Sequence, residues 1–248
     1  HPYVRKLFTS AEKMAKYPED FITLAGKIVE NLDDKEWAAQ IYVQQFEAVS
    51  EFVRKKNIVK AVMETIDDQQ KAKEYLKKME EDCNQTSDYI KLATTVYEIL
   101  SDESWARTLL QHAQVDSNDR YNLLSVAGKI LSILQDAGWA DDIYLKVADE
   151  SDDKYQFEHL FQVVEHQTQS KETMEKLHVI AEQRLTTAVD LTALAESAIR
   201  RLGETPRARA IYKKAISSSD FEKARFAMAE SVRNVLKDRW MANRIINA

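Results

Sequence analysis

The chain repeats itself every 34 residues, and any fold it adopts must carry that period. Stepping by 34 from Ala38 reaches Ala72, Ala106, Ala140, Met174, Ala208 and Ala242, so alanine holds six of seven positions. Three residues on, the column reads Ile41, Tyr75, Leu109, Ile143, Leu177, Ile211 and Ile245. Ten residues before the alanine it reads Ile28, Val62, Val96, Ile130, Val164, Ala198 and Val232. No insertion breaks the register across the 248 residues.

Each repeat reads as two helices. The apolar columns that start at 24, 25, 28 and 32, and again at 38, 41, 42 and 45 (Gln45 itself, then Met79, Ala113 and Val147), follow the 3.6-residue period of a helix with one buried face. Between them stands a polar column of Asp34, Asp68, Asp102, Asp136, Ser170, Glu204 and Asp238. Such side chains accept from the unpaired N–H groups that open a helix, so the column is expected to cap the second helices. The entry column of the first helices is expected at Lys16, Ser50, Asn84, Asn118, Asp152, Thr186 and Asp220, with Pro18 suited to a first turn. Only 4 Gly and 3 Pro are present, too few for a protein of hairpins and tight turns.

These signals predict an all-α chain: a lone helix over 1–15, helix pairs over 16–49, 50–83, 84–117, 118–151, 152–185 and 186–219, and a partial pair over 220–248. One pair cannot bury both of its apolar stripes, so each must stack on the next in a single solenoid domain over 1–248. Both ends fall inside repeats, and the last helix keeps Met241, Ala242, Ile245 and Ile246. The expectation is a segment of a longer array, or an end that packs on another chain.

The columns resemble the tetratricopeptide repeat and its half-a-tetratricopeptide relative, over nearly the whole chain. The large first-helix position reads Phe21, Tyr89, Leu123, Phe157 and Leu191, and the Leu-small dipeptide reads Leu24-Ala25, Leu92-Ala93, Val126-Ala127 and Leu194-Ala195. The second helix gives Ala208, Tyr212 and Ala215, and Ala140, Tyr144 and Val147. The turn inside each pair is one residue longer than the family's, and the usual proline near the repeat's end is missing. The resemblance implies a right-handed α-α superhelix whose groove, lined by first helices, holds peptides or protein surfaces.

No Gly-rich phosphate loop, HExxH or GxSxG motif is present, so the expectation is a protein that is not an enzyme and uses no cofactor or metal. His159 and His166, beside Glu158 and Glu165, stand two helical turns apart, too far to share one ion unaided. Cys83 is the only cysteine. The net charge of −6 argues against a dedicated nucleic-acid binder. No apolar run approaches the roughly 18 residues that span a bilayer, so no membrane partner is expected and a cytoplasmic location is.

The first-helix columns nominate a contact surface of Ile22, Gly26, Glu30, Glu64, Ile90, Glu98, Tyr121, Leu124, Tyr155, His166 and Arg200. Apolar residues on a solvated face mark a surface that something covers. Gly26 and Gly128 sit in mid-helix, where glycine costs about 1 kcal/mol against alanine, so either a partner or a neighbouring helix must approach there. The run from Glu30, Glu64 and Glu98 to His166 and Arg200 forms a charge gradient able to orient a dipolar peptide. The basic residues Arg200, Arg201, Arg207, Arg209, Lys213 and Lys214 read as a solvated helix surface, and Trp37, Trp105 and Trp139 as packing between repeats. The expected function is a non-catalytic scaffold that binds a protein or peptide. The alternative is an assembly module that self-associates through its terminal helices.

Overall fold

The polar column between the helices does what its chemistry requires. In a computed structural model that describes residues 2–247, Asp34, Asp68, Asp102, Asp136, Ser170 and Asp238 each accept a hydrogen bond from the N–H three residues on, starting a second helix. Glu204 holds the same place without that bond, and Pro206 follows it in the first turn. Among the described residues all regular structure is helical, in fifteen α-helices and four short π-helical turns.

The chain forms two compact units, His1–Ser117 and Asn118–Ala248. Unit 1 contains α1 (Pro2–Met14), α2 (Pro18–Leu32), α3 (Lys35–Ala48), α4 (Phe52–Ala61), α5 (Gln69–Glu81), α6 (Thr86–Leu100) and α7 (Glu103–Asp116). Unit 2 contains α8 (Arg120–Lys129), α9 (Ala137–Asp149), α10 (Lys154–Gln167), α11 (Lys171–Arg184), α12 (Ala188–Ser197), α13 (Thr205–Ile216), α14 (Phe221–Ser231) and α15 (Arg239–Ile246).

The first helices start later than their sequence implies. Six of the seven entry caps lie one residue beyond the expected column, at Tyr17, Glu51, Gln85, Asp119, Asp153 and Thr187; only Asp220 stands where expected. Asp119, Asp153 and Thr187 explain the shift in unit 2, because their oxygens accept from the N–H groups of Asn122, Gln156 and Asp190. At α2 the bond runs backwards instead: the Asp20 carboxylate accepts from the N–H groups of Lys16 and Tyr17.

The long turn inside each pair has a specific geometry. Asp33, Asp67, Ser101, Gln135, Gln169, Gly203 and Lys237, again 34 apart, all have a left-handed backbone, with φ between 52° and 72°. Before four of them the first helix widens into a π-helical turn, at Val62–Ile66, Ile130–Leu134, Ala198–Leu202 and Val232–Leu236. A π turn holds one more residue than an α turn, and the left-handed residue ends the helix by turning its N–H back onto the last carbonyls. Only Gly203 pays no steric cost there; each of the others forgoes about 1 kcal/mol.

The core is the periodic apolar set. All six alanines of the first column are fully buried, and their small side chains let helices approach closely. Three pairs of successive second helices are also stapled by charge. Arg5 pairs with Asp34 at 2.7 Å and Lys73 with Asp102 at 4.0 Å in unit 1, and Arg209 with Asp238 at 2.8 Å in unit 2. At the equivalent place Asp141 replaces the cation. The cap there is the neutral Ser170, and the Thr173 hydroxyl donates to the Asp141 carboxylate at 2.8 Å. Trp37 and Trp105 act between repeats as expected: their indole N–H groups donate to Glu12 at 3.1 Å and Glu80 at 2.9 Å, on the preceding second helices.

Candidate functional site

In unit 1 the nominated residues lie on first helices but leave little free charge. Glu30, Glu64 and Glu98 are exposed, and each meets a lysine: Lys27 at 2.6 Å, Lys60 at 3.5 Å and Lys56 at 2.6 Å. The acidic end of the expected gradient is therefore locally neutralised. Ile22 and Ile90 are half-buried, and Val53, one residue into α4, is 67% exposed.

Unit 2 presents a row. Tyr121, Tyr155 and Val189 each occupy the second residue of a first helix, in α8, α10 and α12, and are 64%, 73% and 44% exposed. Tyr121 meets the edge of His159, with ring centres 5.2 Å apart, and Lys154 lies 5.0 Å from the centre of the Tyr155 ring. Beside Tyr155, α10 and α12 enclose a cavity of about 230 Å³, with Phe157, Phe161 and Leu194 as apolar lining and Glu158, Glu196 and Arg200 as charges. Leu124 does not join the row. It is 3% exposed and packs inside the unit with Leu123 and Val126, because α8 turns its buried stripe through that position. His166 is exposed near the end of α10, away from the cavity lining.

A buried polar network underlies the cavity. The Arg201 side chain is only 4% exposed, and its two terminal nitrogens donate to the two oxygens of Glu158 at 2.7 and 2.9 Å. Its Nε donates to Glu165 at 3.2 Å, and Arg200 adds a contact to Glu158 at 3.1 Å. Burial pulls the Glu158 carboxyl upward, but the bonds and charge of Arg201 outweigh it and hold the group below the usual carboxylate range. Arg201 also donates to the Ser197 hydroxyl at 2.9 Å, which lies 3.0 Å from Nε2 of the fully buried His178. The Phe161 ring stacks on His178 at 4.3 Å and 7°. The other ring nitrogen, Nδ1, faces the Met174 carbonyl at 2.8 Å. A carbonyl only accepts, so Nδ1 carries the hydrogen and Nε2 accepts from Ser197.

A serine donating to a histidine has the outline of a nucleophile and its base, but the period gives this pair another meaning. His178 stands in a column with Tyr42, Tyr144 and Tyr212, and each of these is caught in the same way by the next repeat. The Tyr42 hydroxyl meets Thr65 at 2.9 Å, Tyr144 donates to Gln167, and Tyr212 meets Ser231 at 2.6 Å. The contact is a lock between successive repeats, and Ser197 is 2% exposed. Burial drives the His178 pKa down to about 4, so the ring is neutral.

The same lock borders both mid-helix glycines, but crowds only Gly128. A Cβ on Gly128 would stand 2.7 Å from Nε2 of Gln167, the side chain that accepts from Tyr144. A Cβ on Gly26 would stand 3.7 Å from Cγ2 of Thr65, the partner of Tyr42. Internal packing closely approaches Gly128, whereas the space at Gly26 would admit a methyl group. Cys83 is half-buried, and burial pushes its thiol up to about 11, away from thiolate chemistry. Among the described residues no group of three or more His, Cys, Asp or Glu could hold a metal ion, and no helix is long and apolar enough to cross a membrane. Comparison with protein-family models, with curated proteins and with solved structures returns no match.

Proposed function

We propose that this chain is a non-catalytic, tetratricopeptide-like scaffold. Its 34-residue helix pairs stack into a right-handed superhelix, and its first-helix face binds an extended or helical segment of a partner protein. The observation that carries this reading is the row of Tyr121, Tyr155 and Val189, one residue per repeat, beside the cavity between α10 and α12. A protein gains nothing by displaying two tyrosines and a valine in register to water, and aromatic side chains supply much of the energy of interfaces. The mixed charges of Glu158, Glu196 and Arg200 at the cavity provide polar contacts around an apolar anchor.

Peptides selected against the protein from a random display library supply the test. Their affinity for a Tyr121→Ser, Tyr155→Ser double variant is expected to fall at least about tenfold, with helical content unchanged, because each tyrosine is exposed. Full affinity in that variant removes the row from the binding surface.

A further inference from the structure

A second surface lies on the second helices of unit 2. Between α13 and α15 is a cleft of about 450 Å³, floored by Ile216, Met241 and Ile245. Its rim carries Arg209, Lys213 and Arg244 against one carboxylate, Asp238. Arg209 is held by Asp238 at 2.8 Å, so the excess positive charge rests on Lys213 and Arg244. Both are exposed, and neither forms an ion pair among the described residues. Arg244 lies 4.8 Å from the centre of the Trp240 ring, which is itself 69% exposed.

Equivalent clefts elsewhere lack this combination. The one between α1 and α3 sets Arg5 against Glu12, Asp34 and Glu36, and the one between α5 and α7 balances Lys73 with Asp102. The cation excess is also visible along the chain. Residues 198–248 hold twelve Lys and Arg against five Asp and Glu, whereas residues 1–197 hold twenty-three against thirty-six.

We propose that the α13–α15 cleft receives an acidic peptide segment of a partner protein. An apolar side chain would rest on Ile216, Met241 and Ile245, and flanking carboxylates would meet Lys213 and Arg244. The aliphatic floor, and the indole face already covered by Arg244, fit a leucine-like side chain better than a stack of nucleobases. This site is independent of the first-helix row, so the failure of either leaves the other standing.

The probe is a short fluorescein-labelled peptide in which Asp and Glu alternate with Leu, followed by fluorescence anisotropy. Saturable binding that weakens as salt is raised is expected, with a loss of about tenfold or more in a Lys213→Glu, Arg244→Glu double variant. The Trp240→Ser variant is expected to weaken binding without changing its salt dependence. A Lys6→Glu, Lys13→Glu variant makes the same change of net charge on α1 and is expected to bind as the parent does. No saturable binding, or an equal loss in the α1 variant, overturns the proposal. So does tighter binding of polyuridylate that is lost with the same two cleft residues, since that would make the partner a nucleic acid.

Discussion

Replacing Gly26 and Gly128 separately with alanine puts one chemical change into two versions of one lock. In a helix interior, Gly→Ala is worth about 0.8–1 kcal/mol of helix propensity at either position. At Gly26 the new methyl meets Thr65 at 3.7 Å, an ordinary contact, and the bond between Thr65 and Tyr42 is untouched. Gly26→Ala should therefore stabilise by about 1 kcal/mol. At Gly128 the methyl would lie 2.7 Å from Nε2 and 3.1 Å from Cδ of Gln167. The glutamine can swing aside only by leaving Tyr144, whose side chain is fully buried. An unsatisfied buried hydroxyl costs roughly 1–3 kcal/mol, so Gly128→Ala should come out between neutral and about 2 kcal/mol destabilising. Urea unfolding followed by circular dichroism measures both midpoints. In a Gln167→Ala background the obstruction is gone, and Gly128→Ala should then stabilise as Gly26→Ala does. Equal shifts of the two midpoints in the same direction, or no coupling between positions 128 and 167, would refute the assignment of Gly128 to internal packing.

The left-handed turn residues offer a gain in stability: Gln135→Gly, at φ 53°, should raise the unfolding free energy measured in urea by roughly 0.5–1 kcal/mol, and Gly203→Ala, at φ 72°, should lower it by a similar amount. His178 sets a pH response. Its folded pKa of about 4 lies below the ordinary 6.5, so the unfolded chain takes up a proton that the folded chain refuses. Its contribution is intact above about pH 6.5 and is lost at up to about 1.4 kcal/mol per pH unit as pH falls towards 4, roughly 3 kcal/mol in all. Unfolding titrations from pH 7.5 to 4 should show that slope in the parent and a flatter one in His178→Leu, the residue found in this column at 76 and 110.

The parts legible in the sequence were those set by one residue in one local environment. The buried alanines and the Asp caps of the second helices recur at fixed register because each answers a local need, a close approach or an unpaired N–H. The entry caps were displaced because capping depends on backbone angles, and Asp152 and Asp153 offer the same chemistry at adjacent positions. The Tyr121 and Leu124 columns were nominated together, yet the helix exposes one and buries the other; three residues along a helix are enough to cross the edge of its buried stripe. The locks were not legible at all. The catching side chain follows Tyr42 and Tyr144 by 23 residues but His178 and Tyr212 by 19, and it is in turn Thr, Gln, Ser and Ser. Only the packed structure shows that these unlike residues do one job.

The staple between second helices has a consequence for how such a chain can be rearranged. Three of its junctions join a cation to an aspartate cap, and one joins Asp141 to Ser170 and Thr173. A repeat beginning its second helix with aspartate, placed after the one that carries Asp141, would set two carboxylates face to face. A repeat with serine there, placed after Arg209, would leave the guanidinium without its carboxylate. These four junctions therefore act as keys, whereas Ala39 before Asp68 and Glu175 before Glu204 occupy the same two columns without an opposite-charge match. At the four junctions that carry such a contact, a change on one side calls for a matching change on the other.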